Sequence, residues 1–131
     1  MMWTSVGLLL LRLGAGGFML YGHGWSKLTE FADKAAHFPD PLGLGSSSLS
    51  LGLAVLAEVV CALALVAGLL TRYVAGALAF TMMVAVFVVH GDDPWAKKEL
   101  AALYLVPYLT LIFTGGGRYA LDIYVLPRRW R

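Results

Sequence analysis

Residues 3–22 read "WTSVGLLLLRLGAGGFMLYG", and residues 20–28 carry the chain on as "LYGHGWSKL". Twenty mostly apolar residues wound into a helix measure about 30 Å, the thickness of a bilayer's hydrocarbon core. The stretch therefore reads as a transmembrane helix, although Arg12 interrupts it and His23, Trp25 and Lys27 come after it. A cleaved secretory leader is the competing reading. "MMWTS" lacks the basic start such leaders need, and Arg12 breaks what would be their apolar region.

Three more segments of spanning length lie at about residues 48–70, 73–90 and 96–114. The whole chain of 131 residues is 60% hydrophobic and only 14% charged, against about 25% charged in soluble domains. Lipid is the natural solvent for most of it, and residues 1–131 read as one membrane domain. The net charge of +2 and the lack of a basic stripe exclude a nucleic-acid partner. The single cysteine, Cys61, excludes an internal disulfide and a CxxC redox pair, and reads as a packing residue.

Backbone in hydrocarbon must satisfy its own hydrogen bonds, so the four segments are helices. Spans two and three, and three and four, are joined by short links, which makes them antiparallel neighbours. The expected fold is all-α: an antiparallel bundle of four transmembrane helices. Gly14, Gly17, Ala54, Ala62, Ala75 and Ala79 would allow close packing, and Pro107 should kink span four. In the long first connection, Trp25, Leu28, Phe31, Ala32 and Ala35 recur at helical spacing. They predict a short interfacial helix between spans one and two, ended by Pro39-Asp40-Pro41, with a flexible Gly/Ser return.

Four spans put both termini on one side. That side holds Arg72, Arg118, Arg128, Arg129 and Arg131, with Asp122 as its acid. On the other side Lys27, Lys34, Lys97 and Lys98 are offset by six carboxylates. The basic excess predicts cytoplasmic termini, and the tail "LPRRWR" reads as an anchor on anionic lipid.

Arg12 and Glu58 are costly in hydrocarbon, about 2.5–3.5 kcal/mol for an arginine at a helix centre on insertion scales. Each lies nine or ten residues into its span, so both are expected near mid-depth as an ion pair, with a role in packing register or in chemistry. Arg12 and His23 are eleven residues apart and should share a helix face. Lys27 comes next, at the membrane edge, His90 ends span three on the same side, and Glu99 opens span four there. These four positions beyond Arg12 would form one mouth above Arg12 and Glu58. Lys27 is equally readable as a headgroup anchor, and Glu99 as an acid at the positive end of its helix.

The segments "RLGAGGFMLYGHGWSKL", "AEVVCALALVAGLLTR", the span ending in His90, and "ELAALYLVPYLTLIFTGGGRYALD" together resemble the DoxX family of membrane proteins. The resemblance runs over about residues 12–122. Family polar positions are matched at Arg12, His23, Lys27, Glu58, Arg72, His90, Glu99, Arg118 and Asp122. One departure is Gly115-Gly116-Gly117-Arg118, where the family has Gly-Pro-Gly-Arg, which leaves a looser turn. The resemblance implies a four-helix protein of the bacterial cytoplasmic membrane, tied to respiratory or thiol redox chemistry.

Two functions stand open on this reading. The first is a subunit of a membrane redox complex that binds quinol or a similar amphipathic molecule. Glu58 and His90 would be its proton acceptors, Arg12, His23, Lys27 and Glu99 would line the site, and Tyr104 and Tyr108 would add a hydroxyl and an aromatic wall. Arg72, Arg118 and Asp122 would hold the structure. No haem-attachment motif, cysteine cluster or dinucleotide fingerprint occurs, so no cofactor is covalently bound and electrons require a redox partner subunit. The second is a non-catalytic scaffold or binder of lipid or a small molecule. Membrane lipid is a partner in both, and the Gly-rich faces of span one suit a homo-oligomer as well as internal packing. His23 and His90 with Glu58 or Glu99 have metal-ligand chemistry, but no short-spaced ligand pair is present and no metal is assigned. A proton-coupled transporter would also use buried acids.

Overall fold

The computed structural model describes residues 1–131, and it contains helices and turns but no strand. The helices are α1 (Met2–Thr29), α2 (Phe31–Ala35), α3 (Ser47–Ala67), α4 (Thr71–Val89), α5 (Trp95–Thr114) and α6 (Asp122–Val125). A 3-10 turn at Arg128–Trp130 ends the chain. Helices α1, α3 and α4 are long and apolar enough to cross a membrane. Helix α5 is as long, but every stretch of that length along it takes in Lys97, Lys98 and Glu99.

The core is a seam of small and branched side chains. Ala15 and Met19 of α1 meet Ala62 and Leu65 of α3, Ala75, Leu78, Ala79 and Met82 of α4, and Tyr108 and Leu111 of α5. The α4 positions recur at three- and four-residue steps, which is one face of a helix. Ala62, Ala75 and Ala79 are buried there as the sequence predicts. Gly14 and Gly17 are not: a Cβ on either would come within 4 Å of no other helix. Gly16 makes the close approach instead, since a Cβ on it would meet Val66 Cγ2 at 2.7 Å.

The outside is apolar. Leu10, Phe18, Leu53, Leu63, Phe80, Phe87, Leu103 and Phe113 are all exposed. So large an uncovered apolar surface suits a lipid surround and would aggregate in water. Trp3 and Trp130 are exposed at the end that carries both termini, and Trp25 and Trp95 at the other. Tryptophan concentrates at the two headgroup levels of a bilayer.

Two local features depart from the simple pattern. First, α1 continues to Thr29 through a wide π turn at Leu20–Gly24, so half of the expected interfacial helix is the end of α1. The chain bends at Glu30, and only α2 stands apart. Second, the return expected to be flexible is organised by Asp40. Its carboxylate accepts hydrogen bonds from Leu44 N (2.9 Å), Gly45 N (2.8 Å) and Ser50 Oγ (2.7 Å). Ser46 then caps α3 by accepting from Leu49 N, satisfying one orphan amide of the first turn. Helix α3 carries its own π turn at Leu56–Cys61, and α4 ends in one at Ala85–Val89. Helix α5 runs unbroken through Pro107.

Candidate functional site

Buried charge collects at two separate places. At the end of the termini, Arg12 is fully buried. Its Nη1 donates to the carbonyls of Leu65 (3.3 Å) and Val66 (3.0 Å), and its Nη2 to Tyr119 O (3.1 Å). The last carbonyls of a helix have no partner within it, and they form its negative pole. Arg12 thus caps the C-terminus of α3 from the side. Gly68 makes room for it: the residue sits at φ +73°, and a Cβ there would collide with Arg12 Nη1.

Asp122 does the reverse for the next helix. Its carboxylate accepts from Leu70 N (2.5 Å) and Thr71 N (2.9 Å), the first amides of α4. Leu70 is held at φ +52°, a region a branched residue adopts only under constraint. Asp122 N in turn donates to Gly68 O at 2.9 Å. Arg72 ties down α5 by donating from Nη1 to Ile112 O (2.9 Å) and from Nε to Arg131 O (3.0 Å). Arg118 contributes through its backbone, whose N–H faces Ser5 Oγ at 3.4 Å.

The expected Arg12–Glu58 pair does not form. The α1 residue whose backbone lies beside Glu58 is Gly24, about 18 Å of helix beyond Arg12. Because α1 extends to Thr29, Arg12 lies in its first half, well away from the level of Glu58. Glu58 pairs with Lys27. Lys27 Nζ donates to both carboxylate oxygens, at 2.7 and 2.6 Å, with the two side chains 24% and 5% exposed. The Phe38 ring lies 5.9 Å from the same ammonium, within cation–π range.

Beside this pair is a mostly apolar cavity of about 500 Å³. Its walls are α3 and α4, with Phe38, Pro41, Leu42 and Leu44 of the first connection as a third side. Lys27, Glu58 and His90 all line it, and so does Cys61. His90 Nδ1 lies 2.8 Å from Asp93 Oδ2. That hydrogen bond, helped by Lys97, holds the Asp93 carboxyl below the usual carboxylate range. An ionised Asp93 can only accept, so His90 Nδ1 carries the hydrogen and Nε2 is left for other partners.

The remaining expected members lie elsewhere. His23 stands edge-on to Tyr104, with ring centroids 5.6 Å apart, and Tyr104 stacks on Tyr108 at 6.1 Å. Tyr108 is fully buried and donates its hydroxyl to Ala15 O at 3.1 Å. This ladder joins α1 to α5 and does not line the cavity. Glu99 is exposed and has no partner. The predicted mouth is therefore split: Lys27 and His90 reach the cavity, His23 and Glu99 do not. His23 lies inside the π turn at Leu20–Gly24, where the helix is wider than about 3.6 residues per turn, so the eleven-residue spacing from Arg12 does not fix its direction. His23, His90, Glu58 and Glu99 form no group of three that could hold a metal ion.

Sequence reasoning missed Phe38, Asp93 and the cavity-facing position of Cys61. Asp93 had a signal, three residues after His90. The other two had none.

The DoxX family model matches residues 7–91, a stretch that includes Arg12, His23, Lys27, Glu58 and His90. An uncharacterised protein of Haemophilus influenzae is 30% identical over 125 residues, which cover 91% of this chain and 83% of the relative. No solved structure matches the chain.

Proposed function

This chain belongs to the DoxX family of membrane proteins, and from that premise we propose that it binds a quinol or a like amphipathic molecule as one subunit of a membrane redox complex. The observation that carries the reading is the Lys27–Glu58 pair, its carboxylate buried and its ammonium half-buried, on the wall of a mostly apolar cavity of small-molecule size. An apolar ring and tail would lie among the side chains of α3 and α4, with the polar head at the pair.

In this reading the protein is a four-span antiparallel bundle in the bacterial inner membrane. Both termini are cytoplasmic, beside Arg72, Arg118, Arg128, Arg129 and Arg131. Helix α5 is the fourth span, its Lys97, Lys98 and Glu99 at the opposite headgroup layer. Oxidation of a quinol releases two protons and two electrons. Glu58 and His90 both line the cavity, and each can accept a proton. The electrons pass to an acceptor in a partner subunit, because the sequence holds no haem, iron–sulfur or dinucleotide motif.

That same lack favours a second reading, in which the cavity holds a lipid or hydrophobic metabolite without chemistry. Organic extraction of gently purified protein, followed by mass spectrometry, separates the two. A stoichiometric quinone supports the redox reading. Phospholipid alone supports the second and sinks the first.

A further inference from the structure

Every charge on the wall of the cavity is already matched. Lys27 is engaged by both oxygens of Glu58. His90 is engaged by Asp93 at 2.8 Å, so a proton on the imidazole is balanced from outside the cavity. The other lining residues carry no charge. An anionic ligand would have to take Lys27 from Glu58, leaving a carboxylate that is 5% exposed without its partner. A buried charge stripped of its partner is strongly unfavourable. A cationic ligand would meet the mirror penalty, a displaced ammonium against a satisfied carboxylate. A neutral head with hydroxyl or carbonyl groups suffers neither, since it can donate to Glu58 or accept from Lys27 while the pair stays intact.

We propose that the cavity selects amphiphiles with an uncharged, hydrogen-bonding head and rejects anionic ones, and that Glu58 is the residue that sets this preference. The inference rests on the binding role proposed above and narrows the class of ligand. Glu58 acts here by occupying Lys27. Without it the same lysine would be an anion receptor at the wall of an apolar slot.

The test uses two photoreactive probes with one alkyl chain, one ending in an alcohol and the other in a sulfonate, which stays ionised at all working pH values. The full-length protein is reconstituted in nanodiscs of neutral phosphatidylcholine. Cross-linked peptides are then mapped and counted. The wild type should label in α3 and α4 with the alcohol at least about tenfold over the sulfonate. Glu58→Gln should raise sulfonate labelling and bring the ratio to about one or below. The double variant Lys27→Met/Glu58→Gln, which removes both charges, should restore preference for the alcohol. Equal labelling of the wild type, or sulfonate in excess, would overturn the charge preference while leaving a binding cavity in place. An unchanged ratio in folded Glu58→Gln would remove Glu58 as its cause. If neither probe labels the cavity, the binding role itself fails and the preference falls with it. Loss of folding in Glu58→Gln would still leave the wild-type ratio to decide.

Discussion

The two ends of this protein bury charge in different ways. Near the termini, Arg12 and Asp122 spend theirs on backbone: carbonyls at the end of α3 for one, amides at the start of α4 for the other. The guanidinium is fully enclosed and does not line the cavity beside Lys27. At the far end, Lys27 and Glu58 satisfy each other and stand on the wall of a cavity. The first arrangement locks the tight α3–α4 turn against the C-terminal segment. The second keeps a donor and an acceptor at hand for something else. Burial and charge alone therefore do not mark a functional residue. What the charge is bonded to, and whether that partner faces open space, tells the two apart.

Substitutions at the two ends should split stability from ligand binding. The largest stability loss is expected for Arg12→Met, which strands the Val66 and Tyr119 carbonyls, leaves Leu65 O with the Gly68 amide alone, and leaves Asp122 without its offsetting charge. A loss of about 3–5 kcal/mol is expected, read by denaturant titration in detergent. Arg12→Lys should recover only part, because a lysine lacks the planar fork that reaches several carbonyls at once. Gly68→Ala comes next. It forces a Cβ onto Arg12 at positive φ, and should cost more than about 1 kcal/mol. Asp122→Ala removes a cap from α4 and should cost about 1–2 kcal/mol.

Glu58→Gln inverts the pattern. Lys27 is the residue it leaves unpaired, not Arg12, and Lys27 is already partly exposed where it stands on the cavity wall. The stability loss should be about 1 kcal/mol or less, with the effect concentrated in bound ligand. A Glu58→Gln protein as unstable as Arg12→Met would erase the contrast between the two ends.

The smallest effect belongs to the loop beside the cavity. Hydrogen bonds from Ser50 first, and from the Leu44 and Gly45 amides, hold the Asp40 carboxyl below its ordinary range. A depressed folded pKa gives stability that is present above the unfolded pKa and lost as pH falls through the folded one. The 40–50 segment should stay closed at neutral pH and loosen only under strong acid, below the ordinary carboxylate range. Amide exchange at Leu44 and Gly45 measured against pH would show this, and Asp40→Ala should abolish the dependence.

Much of this arrangement was legible in the sequence. Hydropathy and spacing identify an all-α chain with helices fit for a membrane, and residue cost in lipid singles out Arg12 and Glu58. Which groups they meet was not legible. The edges of an apolar run do not mark the ends of its helix: the run of α1 stops at Gly22 while the helix goes on to Thr29. That difference moves Arg12 away from Glu58 and brings Lys27 to it. The π turn at Leu20–Gly24 leaves no mark in composition or period, and His23, which lies in it, meets Tyr104 instead of the cavity. Asp122 lies 52 residues from the Leu70 amide it caps, and no local pattern announces such a contact.

Native mass spectrometry of wild type and Glu58→Gln, released from the same mild detergent, bears most directly on the claim that the Lys27–Glu58 corner holds a ligand. The wild type should carry one small amphipathic molecule per chain, and the folded Glu58→Gln protein should carry it at clearly lower occupancy. The same adduct at the same occupancy in both proteins would contradict the account.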